Sequence, residues 1–198
     1  LQKFDHILVV VEESRKRLIE AGVHPDKITV VQNTPRVEQW EFGDTINVAR
    51  SPDHTMELVY LGNLDGSRGV DVAIRAVRCL KEMNRFVRLT VIGDGPCIQD
   101  LRRLAAGLGV EDRVAILGRL PFAEIRPLIA RSDIGIIPHY ATDAWNTTIP
   151  NKLFDYMQMG LSVLVSDAKP TARIVHAESC GEVFLDRNPL DFARGVMR

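Results

Sequence analysis

The sequence predicts an α/β domain: a Rossmann-like parallel sheet with helices on both faces. Three observations predict it. From residue 57 onward, short apolar runs alternate with amphipathic helical patterns. The runs are apolar throughout, not at every second position, as strands buried on both faces are. Turns rich in glycine, asparagine and aspartate lead out of several of the runs, giving the rhythm of strand–helix–strand units.

Taken in order, residues 6–11 (HILVVV) read as a buried strand, Ser14 to Ala21 as a charged amphipathic helix closed by Gly22, and residues 28–31 (ITVV) as a second strand. The stretch from Asn33 to Arg50, with Pro35 and Pro52 nearby, has little periodicity and reads as a linker. Regular alternation then begins with ELVYL (57–61) and a helix carrying Val70, Ala73, Ile74, Val77 and Leu80. RLTVI (88–92) precedes a helix carrying Ile98, Leu101, Leu104 and Ala105, and RVAIL (113–117) one carrying Phe122, Ile125, Leu128 and Ile129. IGIIP (134–138) leads to a helix from about Asn151 to Met159, SVLVS (162–166) to a short helix around Thr171–His176, and EVFL (182–185) to a last helical pattern. The chain thus divides into residues 1–50, strands plus linker, and residues 51–198, the regular sheet. Both ends fall inside such patterns and read as cuts in a longer chain.

Composition narrows the function classes. The 198 residues are 45% hydrophobic and 26% charged, enough for a sizeable core. A formal net charge of -1 gives no basic excess for nucleic acid. No apolar run reaches the length of a membrane span, and no secretory leader is visible. Cys79, Cys97 and Cys180 are far apart without a CxxC pair, which argues against zinc and fits reduced thiols in a cytoplasm.

Parallel sheets bind ligands beyond the carboxyl ends of their strands, so the strand-to-helix turns are where chemistry is sought. The first regular turn is Gly62-Asn63-Leu64-Asp65-Gly66-Ser67-Arg68-Gly69. Arg68 precedes a helix start, where a phosphate is favoured; a plain glycine-rich turn with a surface arginine is the alternative. The turn lacks the ending of a P-loop and the spacing of GxGxxG. Gly93-Asp94-Gly95-Pro96 reads as a tight turn with Pro at a helix start. The richest connection runs from Pro138 to Asp155, long and polar for a βα loop. Free amides near Asn151 to Phe154 would suit a diphosphate. Lys152 in a first helical turn opposes the helix dipole, which a nearby anion would relieve. Asp155, about one turn further in, could accept hydrogen bonds from sugar hydroxyls. The alternative makes Asp155 a dipole-compensating carboxylate and Lys152 a solvated side chain.

These segments together resemble family 4 glycosyltransferases, also called group 1, of the GT-B fold. The resemblance runs along essentially the whole chain. Asp5-His6-Ile7-Leu8-Val9-Val10-Val11 and Lys27-Ile28-Thr29-Val30-Val31-Gln32-Asn33 resemble the end of that family's first domain. Leu61-Gly62-Asn63-Leu64, Arg68-Gly69, Val91-Ile92-Gly93-Asp94-Gly95-Pro96 and Val114-Ala115-Ile116-Leu117-Gly118 are similar to the turns of its second. Pro150-Asn151-Lys152-Leu153-Phe154-Asp155-Tyr156-Met157 resembles the donor-site helix of a branch with "PNKLFEYM". Departures exist: Asn63 stands where the family often has arginine, and Arg68 where it often has lysine. The family's paired glutamates fall on Thr147 and Asp155, so the first acid is lost and the second is shortened.

The resemblance implies a retaining glycosyltransferase of hexosyltransferase type. Residues 1–50 would be a remnant of the acceptor domain plus linker, and residues 51–198 the C-terminal donor domain, truncated at its end and inactive alone. It implies catalytic roles for Arg68 and Lys152, acting electrostatically on the leaving diphosphate. It implies donor contacts at Gly62, Asn63, Thr147, Thr148, Pro150, Asn151, Leu153, Phe154 and Asp155, with Gly118, Arg119 and Leu120 facing the base. No metal or cofactor is implied. The partners would be a nucleotide-diphosphate sugar and a saccharide or lipid-linked acceptor, with any membrane association made through the missing first domain, in the cytoplasm. Two other readings remain: a non-transferase GT-B enzyme such as an epimerase or phosphorylase, and a flavodoxin-like interaction domain without nucleotide.

Overall fold

The computed structural model describes residues 4–34 and 55–198. The stretch read as a linker, Asn33 to Arg50, falls mostly outside the described residues.

Two sheets form, both parallel. Strands β1 (Ile7–Val9) and β2 (Ile28–Val30) pair with each other and, among the described residues, with no further strand, joined by helix α1 (Glu12–Glu20). The six-stranded sheet begins with β3 (Met56–Leu61), α2 (Val70–Glu82), β4 (Val87–Ile92), α3 (Ile98–Gly107), β5 (Val114–Gly118) and α4 (Phe122–Ala130). It continues with β6 (Ile134–Ile137), α5 (Lys152–Gln158), β7 (Ser162–Ser166), α6 (Lys169–Glu178), β8 (Gly181–Phe184) and α7 (Pro189–Val196). The strand order is β5-β4-β3-β6-β7-β8. The chain winds outward from β3 in one direction, then returns and winds outward from β6 in the other. The order therefore reverses between β3 and β6, and the crevice beyond their carboxyl ends is the expected ligand position.

Both faces of the sheet's middle are covered, and that is why β3, β6 and β7 are largely apolar, whereas β4 carries the exposed Arg88 and β5 alternates buried with exposed positions. Leu58, Leu89, Ile136 and Leu164 turn to a face packed by α2, α3 and α7. Val59, Ile92, Ile137, Val163 and Val165 turn to the opposite face, where α4, α5 and α6 pack. The alternation follows from the two-residue period of a strand. One early expectation fails. The apolar run at 6–11 is not a buried strand: β1 covers only Ile7–Val9, and Leu8 is 67% exposed. Its two-stranded sheet is too small to be covered on both faces by the described residues. Helix α6 is longer than expected, because Pro170 sits in its first turn and opens it at Lys169.

Candidate functional site

The switch point is built by an unusual join between β3 and β6. The two strands register at Leu58 with Ile134 and at Val59 with Gly135. Beyond that point Leu61 N–H donates instead to the Tyr156 hydroxyl, at 2.8 Å. Gly135 gives the Tyr156 ring its place: a β-carbon there would stand 2.4 Å from the ring. A side chain of α5 thus wedges the strands apart at their carboxyl ends, and a crevice opens there.

Lys152, the first residue of α5, reaches into this crevice. Its Nζ lies 3.8 Å from the centre of the Tyr60 ring. It is buried without a hydrogen-bond partner, although the stem leaves the residue as a whole half-buried. Gly62 makes the space, since a β-carbon at Gly62 would stand 2.8 Å from Nζ. Burial, reinforced by the nearby Arg68 charge, holds the Lys152 pKa well below that of a free lysine. Lys152 is therefore not the solvated side chain of the alternative reading. The Tyr60 hydroxyl donates to the Asn63 carbonyl at 2.7 Å, fixing the floor under the ammonium.

Arg68 stands at the rim. Its Nε donates to Asp65 Oδ2 at 2.8 Å, and its guanidinium lies 4.7 Å from the Trp145 ring centre. Asp65 also accepts from the Ser67 amide and hydroxyl, at 2.9 Å and 2.6 Å. Burial tends to raise the Asp65 pKa, but the Ser67 and Arg68 hydrogen bonds outweigh it and hold the carboxylate far below its ordinary range. The Gly62–Gly69 turn and the 138–151 connection are locked together. Tyr140 N–H donates to the Ser67 carbonyl at 3.0 Å, and the Trp145 indole N–H to the Ser67 hydroxyl at 3.4 Å. Gly69 has φ +64, and a β-carbon there would stand 1.7 Å from the Pro138 carbonyl oxygen.

A cleft of about 480 Å³ lies beside this turn, beyond β3, β4 and β5, lined by Gly62, Asn63, Gly93, Asp94, Arg119 and Leu120 among others. It brings the first turn together with two of the three residues expected to face a base. Gly118, the third, ends β5, where its carbonyl accepts from Gly93 N–H at 2.9 Å. A larger cavity, about 800 Å³, lies at the opposite edge beside Met56, Ile134, Ser162 and Gly181, which begin or adjoin the amino ends of their strands. Ligands of parallel sheets sit at the carboxyl edge, so the smaller cleft is the candidate.

The remaining expected residues divide. Asp155 is half-buried on α5. Asn151 is exposed and its side chain makes no capping bond. Thr148 is half-buried, and the Thr147 hydroxyl is turned back into its own loop, donating to the Asp143 carbonyl at 2.9 Å. Pro150 and Leu153 are buried, Leu153 fully, and Phe154 packs on the core, so their side chains hold α5 in place. The expectation of free amides from Asn151 to Phe154 is corrected in part. Leu153 N–H donates to the Pro150 carbonyl at 3.1 Å and Phe154 N–H to the Asn151 carbonyl at 2.9 Å, because the turn before α5 is already hydrogen-bonded.

Sequence reasoning passed over Tyr60, Trp145 and His139. Tyr60 looked like another apolar strand residue. His139 follows the last residues of a strand, a position that could have marked it. Among the described residues, no group of three or more His, Cys, Asp and Glu side chains could hold a metal ion.

A doubly wound sheet with a cationic crevice at its switch point is the architecture of one half of a GT-B glycosyltransferase. A family profile for glycosyl transferases group 1 matches residues 55–198, and the chain belongs to that family. It is 28% identical over 166 residues to WcaL of Salmonella typhimurium, a glycosyltransferase assigned to colanic acid biosynthesis, covering 83% of this chain and 40% of that protein. It is 28% identical over 152 residues to the amylovoran biosynthesis glycosyltransferase AmsK of Erwinia amylovora, covering 76% and 36%. Among solved structures, Anabaena HepE in complex with UDP and glucose superposes with a TM-score of 0.78 at 17% identity, covering 98% of this chain and 52% of that one. Sucrose-phosphate synthase of Thermosynechococcus elongatus gives a TM-score of 0.80 at 15% identity, covering 100% and 49%. The chain thus spans about half or less of the length of these proteins.

Proposed function

We propose that this chain is the C-terminal, donor-binding half of a retaining family 4 glycosyltransferase that moves a hexose from a nucleotide-diphosphate sugar to an acceptor. The observation that carries the proposal is the sealed ammonium of Lys152 at the switch point. A buried lysine without a partner is costly, and an anion that meets it offsets that cost and favours its charged form. The diphosphate of a sugar donor is such an anion. In this reading Lys152 and Arg68 face the diphosphate and stabilise the charge that develops on it as the glycosidic bond breaks. Asp155 accepts a hydrogen bond from the ribose, and the cleft beside Arg119 and Leu120 takes the base. The names of WcaL and AmsK favour a saccharide acceptor in polysaccharide biosynthesis, and the structures of HepE with UDP favour a uridine donor. Residues 1–50 then belong to the acceptor half and its linker, and the enzyme works in the cytoplasm.

A thermal-shift panel of nucleotide-diphosphate sugars tests the proposal, because a ligand that binds only the native state raises the melting temperature. At least one donor should raise it, and the matching nucleoside diphosphate should as well. A flat response across uridine, guanosine, adenosine, cytidine and thymidine donors would leave an interaction domain without nucleotide as the better reading.

A further inference from the structure

His139 is the first polar residue beyond β6, one position after Pro138. Its imidazole is 2% exposed, and neither Nδ1 nor Nε2 has a hydrogen-bond partner. A core histidine is normally satisfied at one ring nitrogen at least, since an orphaned buried polar group forfeits its hydration. Among the described residues nothing relieves the ring. Trp145 packs on it with centroids 4.1 Å apart, and that is an apolar contact. The backbone is fixed independently, because the His139 carbonyl accepts from the Ser166 hydroxyl. The ring is therefore held in place, buried and unpaired.

Its surroundings say what would pair it. The charged groups that act on His139 are Lys152, Arg68 and, with opposite sign, Asp65. Burial first, then the two cations, hold its pKa down to about 2, so the ring is neutral across the whole working range. A neutral imidazole carries one N–H donor and one acceptor nitrogen. Two buried polar groups, Lys152 Nζ and the His139 ring, thus lack partners, and the charges of Arg68 and Asp65 act on both. A ligand rich in acceptor oxygens satisfies both.

Building on the donor-binding reading above, we infer that His139 is a further ligand contact, which donates a ring N–H to the anionic oxygens that Lys152 meets. The loop it begins also carries Trp145, on which Arg68 lies. The His139 and Trp145 rings therefore stack toward the rim cation, Arg68. A third positive charge in this crevice would raise the cost of the empty site, whereas a neutral donor adds a hydrogen bond without one.

The test uses this chain, with UDP, GDP, ADP, CDP and dTDP as probes. Calorimetry of the unaltered chain identifies the tightest-binding diphosphate. That diphosphate is then titrated into His139→Leu and His139→Gln, with melting temperatures taken in parallel. The Leu variant should lose about tenfold or more in affinity while melting at or above the unaltered chain, because it removes an orphaned polar group. The Gln variant, which keeps an N–H donor, should recover part of the loss. Imidazole nitrogen shifts read by NMR should move on saturation with the diphosphate, which a purely structural histidine would not show. Affinity in His139→Leu within threefold of the unaltered chain, or ring nitrogen shifts unmoved at saturation, overturns the inference and leaves the donor-binding reading standing. No binding of any of the five diphosphates by the unaltered chain overturns both.

Discussion

The Lys152 amino group costs the free protein stability. Among the described residues its Nζ lies on the face of Tyr60 without a hydrogen-bond partner, a contact worth about 2 kcal/mol when desolvated, against an unpaired-ion penalty of several kcal/mol. With its folded pKa depressed, the unfolded chain binds the proton that the folded chain resists. The penalty is fully present below the depressed folded pKa, and it is relieved as pH rises from there toward the ordinary lysine value. Lys152→Met, which keeps the volume and removes the charge, should therefore raise the melting temperature at neutral pH by at least about 2–4 °C, the shift that about 1 kcal/mol produces in a chain of this size. The same variant should lose the stabilisation given by a nucleoside diphosphate. A melting temperature that falls would mean that the ammonium has a partner in the free protein. Arg68 and Asp155 separate by ligand part. Arg68→Ala should weaken diphosphate binding more than about tenfold, since hydrogen bonds to charged groups are worth about 1.5–3 kcal/mol. It should spare the free nucleoside. Asp155→Ala should weaken nucleoside and diphosphate alike. Calorimetric titration of both variants with both ligands decides this, and unchanged affinity in Asp155→Ala with the fold intact removes the ribose assignment.

Among the elements, the turn after β3 and the connection after β6 act as one unit, and at Gly69 their backbones approach too closely for a side chain. Its left-handed backbone and the 1.7 Å approach to the Pro138 carbonyl leave no room for a β-carbon. Gly69→Ala should cost about 1–3 kcal/mol for the strained backbone alone, more for the clash, and should loosen Arg68 and Trp145 together. Chemical denaturation reads the first effect. Loss of the Trp145 environment in fluorescence, measured against a Trp40→Phe background, reads the second. A variant as stable as the parent would contradict this packing. The same join shows what was legible beforehand. Apolar runs such as ELVYL and SVLVS marked the strands because burial on both faces leaves few polar positions, and Arg68 before one helix and Lys152 and Asp155 at the start of another stood out as charges beside strand-to-helix turns. The function of Tyr156 could not be read, because a tyrosine on an apolar helix face looks like core until its hydroxyl is seen bonded to the Leu61 amide at 2.8 Å. His139 was hidden for a related reason: burial without a partner is a property of three elements meeting, not of a local pattern. HILVVV misled because apolar composition signals a strand but not what covers it.

At the scale of the molecule, the β1–α1–β2 unit is fastened to the large sheet's layer through α1. Glu13 pairs with Arg173 of α6 at 2.8 Å and 3.1 Å, Val11 is 2% exposed in the second core, and the Ser14 hydroxyl donates to the Thr147 carbonyl. The small unit therefore rests against the 138–151 connection, the loop that carries His139 and Trp145. Its outer residues Leu8 and Val31 are 67% and 53% exposed. In the proposed reading donor binding uses the carboxyl edge of the six-stranded sheet. Transfer needs more: an acceptor hydroxyl held against the anomeric carbon of the bound donor. Such positioning supplies about 7–11 kcal/mol of a barrier, and each 1.36 kcal/mol is about tenfold in rate. The chain spans 40% of WcaL and 52% of HepE, and in the proposed reading the acceptor is held by residues outside it. The 198-residue chain should accordingly bind a nucleoside diphosphate with a saturable isotherm and transfer sugar at least about 10⁵-fold more slowly than an intact enzyme turning over on the order of 1–10³ s⁻¹. An assay of labelled sugar transfer to saccharide acceptors, run on protein already shown to bind the diphosphate, measures this directly. Turnover near once per second by this chain alone would mean that the acceptor site lies within these residues, and the division of labour proposed for the two halves would have to be abandoned.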